Sequence, residues 1–186
     1  MDLHVYELLQ KLTNDNPAVQ KELDELVPLL GALTGLLGAY AQGGVFRDVA
    51  EISEADFQKR VLLDLRVRLG KEVQEHGHQA GGITDLRYRG VIVELKVEVK
   101  NGDRCAIAQK YSAQVSQYEA VEGRQVGVLL VLDTTPKVHP PGDIRNDIIL
   151  VDVRTHGGPD EQKKYQSKAF VFIVNGNTRK PSSYSR

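Results

Sequence analysis

Only one cysteine, Cys105, is present in 186 residues. That excludes an internal disulfide and fits a reducing, cytoplasmic setting. It also excludes a thiolate-held iron–sulfur cluster, which needs several cysteines. No charge of one sign dominates, because the formal net charge is −1. The chain therefore lacks the basic excess that advertises nucleic-acid binding. No apolar run reaches the ~20 residues of a membrane span. The longest candidate, Leu29 to Tyr40, stops short and carries small residues at Gly31, Gly35 and Gly38. No basic-then-apolar leader follows Met1, since Asp2 comes next. The expectation is a cytoplasmic protein with no membrane partner.

The remaining composition is that of an ordinary globular protein, 41% apolar and 26% charged. The length suits one core with decoration. The predicted organisation is a helical extension over residues 1–48 and a main domain over residues 49–186. Charge is unevenly spread. Residues 1–53 hold three Lys/Arg against eight Asp/Glu, and residues 154–186 hold seven against two. In the C-terminal part, Lys163, Lys164, Lys168, Arg179, Lys180 and Arg186 are interleaved with Tyr165, Phe170, Phe172 and Tyr184. Basic and aromatic side chains together can contact phosphates and stack on bases. Ala169 to Val174 nevertheless reads better as a core strand, leaving Arg179 to Arg186 as a phosphate-contacting tail.

The clearest pattern is Val91 to Lys100. Val91, Val93, Leu95, Val97 and Val99 alternate with Ile92, Glu94, Lys96, Glu98 and Lys100. Period-two alternation of this length predicts a strand with one valine-rich face. Glu94 and Lys96, two apart, then emerge side by side. Asp85 precedes this strand, and Gly90 marks a tight turn between two short strands. If the segment from Leu86 to Tyr88 pairs antiparallel with the next strand, Asp85 comes within reach of Glu94, whereas a one-residue slip turns it away. Gly81 and Gly82 let the backbone enter without obstruction. An acid, a gap, then acid-x-lysine supplies oxygen ligands for Mg²⁺ and a positive group beside a phosphodiester. The bland reading is a solvated strand face with cross-strand ion pairs.

Flanking elements give that pattern a setting. Residues Glu54 to Leu69 predict a helix capped by Ser53, with Phe57, Val61, Leu65 and Leu69 as its apolar stripe and Glu54 and Gln58 beside it. Arg104 to Glu119 predicts a second helix capped by Asp103, with Ile107, Tyr111, Gln114 and Tyr118 on one stripe. The uniformly apolar run of residues 125–132 predicts a buried central strand. Ile148 to Val153 predicts another strand, and the prolines at 136, 140 and 141 predict a loop over Thr134 to Asn146. Near the N-terminus, Leu3, Leu8, Leu9 and Leu12 suggest a short helix, Asn16-Pro17 starts another, and Pro28 is expected to break or kink it. The glycines that follow suggest close helix packing on the core or on a second subunit. His76 and His78 share strand spacing but lack a third ligand. Cys105 is expected to pack quietly.

The order of these elements resembles the PD-(D/E)XK nuclease superfamily. Thr84-Asp85 stands for the Pro-Asp step and Glu94-Leu95-Lys96 for the (D/E)XK step. Gln114-Val115-Ser116-Gln117-Tyr118 resembles the Q-x-x-x-Y signature of the RecB-like branch. Glu54 resembles the first-motif acid, with Glu51 as a competitor. The resemblance implies an α/β fold with a restriction-endonuclease-like αβββαβ core and a mixed central sheet. It further implies Mg²⁺, or Mn²⁺ in its place, held by Asp85, Glu94, the Leu95 carbonyl and Glu54. Lys96 would act on the attacking water, while Gln114 and Tyr118 would position substrate or the lysine. The implied activity is a deoxyribonuclease, with DNA (or RNA) as partner and a homodimer through the N-terminal helices as a further expectation. The alternative is a catalytically silent module of the same fold that binds nucleic acid or a protein.

Overall fold

The computed structural model describes residues 2–76, 85–154 and 166–183. His78, Gly81, Gly82 and Thr84 lie outside the described residues, as do the Lys163–Tyr165 segment and the tail beyond residue 183. The fold is mixed α/β: a six-stranded mixed sheet with helices on both faces and two helices at the N-terminus.

The N-terminal part comprises α1 (Leu3–Asp15), a 3-10 segment (Pro17–Glu22) and α2 (Leu23–Gly43). Then come α3 (Glu54–Leu69), β1 (Val73–His76), β2 (Asp85–Tyr88), β3 (Val91–Glu98), α4 (Arg104–Glu122), β4 (Val126–Asp133), β5 (Ile148–Arg154) and β6 (Gln166–Asn175). The sheet order is β1-β2-β3-β4-β6-β5. The hairpin strands β1, β2 and β3 pair antiparallel, and the sheet then turns parallel through β4 and β6. Edge strand β5 runs antiparallel to β6.

Local signals account for most of these boundaries. Ser53 Oγ accepts the Asp56 amide hydrogen at 3.0 Å, capping α3, and Asp103 Oδ1 accepts that of Ala106 at 2.7 Å at the start of α4. The β2–β3 turn places both Arg89 and Gly90 at positive φ, which suits a two-residue hairpin loop. The valine face of β3 packs with α1, α2, α3 and the inner faces of β4 and β6 into one apolar cluster. A smaller cluster on the opposite face joins Ile107, Ala108 and Val115 of α4 to Leu129, Val131, Val171 and Ile173.

Not every expectation holds. Pro28 does not end its helix: α2 runs unbroken from Leu23 to Gly43. Proline removes one intrahelical bond near the start, and burial of Leu26, Leu29, Leu30, Leu33, Leu36 and Leu37 outweighs it. α2 packs on the core through α3 and β6, one of the two readings of its glycines, though not closely at each glycine. A Cβ at Gly31 or Gly38 would meet nothing within 4 Å, and only Gly35 is approached, by the Arg68 guanidinium. Cys105 is exposed rather than packed. The loop over residues 134–146 also ends in a 3-10 turn, Ile144–Asp147.

By length and composition, one described helical stretch, Pro17–Gly43, is apolar enough to cross a membrane, with a mean hydropathy of 1.3. Its leucines are buried against α3 and β6, which is how the core helix of a globular protein behaves.

Candidate active site

The hairpin register decides the geometry. Asp85 is the direct cross-strand partner of Glu94, followed by Leu86 opposite Val93. Directly opposed residues of an antiparallel pair present their side chains on one face, about 5 Å apart at Cβ. Glu94 and Lys96 share that face by strand period, so Asp85, Glu94 and Lys96 converge. Leu95 lies between them with its side chain buried on the other face, so it can contribute only through its backbone.

Lys96 Nζ lies 2.6 Å from Glu94 Oε1 and 3.9 Å from Glu54 Oε2. The lysine side chain is 14% exposed and that of Glu94 only 3%. The face is therefore not the solvated one of the bland reading. Glu94 Oε2 is buried without a hydrogen-bond donor.

Glu54 arrives from the far side of the strand. The described register of β2 with β3 runs from Tyr88–Val91 to Asp85–Glu94. The first residue of α3 reaches β3 beyond it: Glu54 Oε1 accepts the Val97 amide hydrogen at 3.4 Å. One turn on, Gln58, buried, donates from Nε2 to the Asp85 carbonyl at 3.5 Å. The sequence placed Gln58 beside the apolar stripe of α3 but gave no hint that it reaches the strand carrying the first acid.

Electrostatics set this cluster apart. Burial, then the adjacent Asp85 carboxylate, push Glu94 up to about 8, against the pull of Lys96. Burial pulls Lys96 down, but its contact with Glu94, with Glu54 and Asp85 adding, raises it overall. Two acids and a cation thus share a desolvated site, a combination that clusters at functional positions.

Two other expected members lie on α4. Gln114 is exposed on α4. Tyr118 lies on the same helix, but its side chain falls outside what the structure describes. Glu51 is exposed just ahead of α3, and Glu54 is the acid that reaches Lys96. Among the described residues, no three His, Cys, Asp or Glu side chains gather closely enough to hold an ion by themselves. Asp85 and Glu94 form a pair, with the Lys96 ammonium between Glu94 and Glu54. His76 is the strand partner of Asp85 on β1.

A second polar row, which sequence reasoning missed, lies two residues further along. Glu98, Asp133 and Asn175 are successive cross-strand partners on β3, β4 and β6. Glu98 accepts from Lys110 Nζ at 2.6 Å and Tyr111 Oη at 3.0 Å, and from the backbone amides of Lys100 and Asn101. Asp133 binds Thr135 and Lys137. Buried Asp147 is held by Arg104 Nε at 2.6 Å and Asn175 Nδ2 at 2.7 Å. Only the acid ending an otherwise apolar β4 run hinted at this layer.

No family model, curated protein or solved structure matches the chain. The functional reading therefore rests on the geometry of this site.

Proposed function

We propose that this protein is a metal-dependent nuclease that hydrolyses DNA phosphodiester bonds, built on a PD-(D/E)XK core of the RecB-like type. The observation that carries the reading is the register placing Asp85 opposite Glu94, with Lys96 Nζ 2.6 Å from the Glu94 carboxylate. The order α3–β1–β2–β3–α4–β4 supports it, as does the arrival of Glu54 from α3 at the same lysine.

The donor set fits a hard divalent cation. Its atoms are carboxylate oxygens, and one of them, Glu94 Oε2, is a buried acceptor without a donor. Asp85, Glu94, the Leu95 carbonyl and Glu54 would hold Mg²⁺ or Mn²⁺. When bound, such an ion polarises the phosphoryl group and lowers the pKa of the attacking water.

The chain's own residues do the rest. Asp85 and, once it gives up its proton to an arriving cation, Glu94 supply the negative charge that the ion needs. Lys96, with its pKa raised, stays protonated and places a fixed positive charge where the phosphorane-like transition state gains negative charge. That role suits it better than taking a proton from water. Gln114 and Tyr118, on the helix leading to β4, are the substrate-positioning candidates.

The test is incubation with linear, circular and single-stranded DNA, with and without Mg²⁺. Cleavage of at least one substrate that depends on added Mg²⁺ or Mn²⁺ is the expected result. Absence of cleavage, together with no calorimetric binding of either cation, would leave a silent nucleic-acid- or protein-binding module.

A further inference from the structure

A pocket of about 260 Å³ lies at the end of the sheet away from the Asp85–Glu94 pair. Its position follows from the sheet edge. β5 covers β6 only as far as Phe172, so the last three residues of β6 have no β5 partner. The chain closes over that gap from two sides. Residues 140–144, with Pro140, Pro141 and Gly142, form one wall, and the C-terminal end of α2 forms the other. The turn after α2 is tied down by Asn177 N–H to the Phe46 carbonyl at 2.8 Å and by Asp48 N–H to the Thr178 carbonyl at 3.3 Å.

The lining combines two chemistries. Tyr40 and Phe46, packed edge-to-face with centroids 5.1 Å apart, contribute an aromatic wall beside Leu37 and Val174. Arg47 and Arg179 also line the pocket. Arg47 lies against the bare backbone of Gly44, where a Cβ would come within 2.6 Å of its guanidinium carbon. Its Nε is shut off from solvent with no acceptor, and Arg47 forms no ion pair among the described residues. The pocket's own acid does not neutralise it, because Asp147 is already engaged by Arg104 and Asn175.

Arg47 is partly buried, and its solvent-excluded Nε lacks an acceptor, which costs free energy that an anionic ligand would recover; a carboxylate matches its forked donors. The apolar wall and the volume, just under the roughly 300 Å³ where drug-sized sites begin, set the rest of the ligand. We infer that this pocket binds a small organic carboxylate with an apolar, preferably aromatic, body. The site shares no residue with the Asp85–Glu94–Lys96 cluster, and the inference stands apart from the nuclease reading.

The test uses the full chain and three probes: sodium benzoate, benzyl alcohol as its neutral counterpart, and inorganic phosphate as an anion without an apolar body. Binding is followed by calorimetry and by ¹H–¹⁵N spectra. Benzoate should shift the amides of Gly44, Gly142 and Thr178 saturably and bind more tightly than either control. Arg47→Gln should weaken benzoate by about tenfold or more, the effect of losing a charge-assisted hydrogen bond, and leave benzyl alcohol unchanged. Ala41→Phe, at an exposed helical position of the lining, should block benzoate at unchanged melting temperature. This variant keeps the test open should Arg47→Gln fail to fold. Absence of saturable shifts at those amides would overturn the proposal. So would benzyl alcohol or phosphate binding as tightly as benzoate, or a folded Ala41→Phe that binds benzoate normally.

Discussion

Glu94 and Glu98 stand four residues apart on one face of one strand, both almost fully buried. They titrate in opposite directions. Glu98 has four donors, and although burial pushes it up, Lys110, the Lys100 and Asn101 amides and Tyr111 outweigh that, so it falls to about 2. Glu94 has Lys96 on one oxygen, a second carboxylate beside it and no donor on the other oxygen, and it rises to about 8. Low exposure thus accompanies a locked structural acid in one place and a poised acid in the other. Glu94 is the more strongly desolvated of the two, and the neighbours add to the contrast: α4 and the β3–α4 loop supply a cation and amides to Glu98, while the hairpin supplies another acid to Glu94.

The two acids differ most in their relation to Lys96. Lys96→Ala should reduce Mg²⁺-dependent plasmid cleavage by about 10³-fold, the scale of removing a preorganised transition-state charge, while the thermal melt stays cooperative. Retained cleavage by that variant would end the proposed mechanism.

The locked acid should show itself in stability. A carboxyl whose folded pKa lies below its unfolded value stabilises the fold above the unfolded value and loses that contribution as pH falls through the folded one. Glu98→Gln should therefore cost about 2 kcal/mol at neutral pH, allowing for the half-exposed Lys110. The gap from the parent chain should close between about pH 4.5 and 2 in urea melts. A gap independent of pH would mean that packing, not charge, holds Glu98.

Glu54 and Glu94 separate rate from stability. Glu54→Gln should lower cleavage by about tenfold, since a charged hydrogen-bonding partner is replaced by a neutral one of the same shape. Wild-type rates would return the first-motif role to Glu51. Glu94→Gln should abolish cleavage yet shift the melting free energy by less than about 1 kcal/mol, because the charged form of Glu94 is disfavoured by the fold. A loss as large as that of Glu98→Gln would erase the distinction between the two acids.

Much of the frame was legible because its signals are local. The alternation of Val91 to Lys100 gave the strand and its faces, two residues beyond its end at Glu98, and Ser53 and Asp103 gave the helix starts. The Gly90 turn gave the hairpin, while the register that joins Asp85 to Glu94 comes from the folded sheet. Signals that depend on distant neighbours were not legible. Pro28 looked like a breaker because the burial of α2 is a property of the sheet beneath it. Glu98 read as one of four polar residues on a solvated face, since Lys110 and Tyr111 reach it only after α4 folds back. The insertion of β6 between β4 and β5 leaves no mark in either strand. Gln114 shows the reverse case: its spacing suggests a site residue, while its position on α4 is exposed.

The contact between Glu54 and the Val97 amide ties chemistry to strand integrity. That carboxylate caps a strand amide, so any rearrangement drawing it toward a bound ion strips an acceptor from that rim of β3. Loading the centre and sealing the rim then compete for one side chain, and faster deuterium uptake at Val97 on adding Mn²⁺ would record the trade.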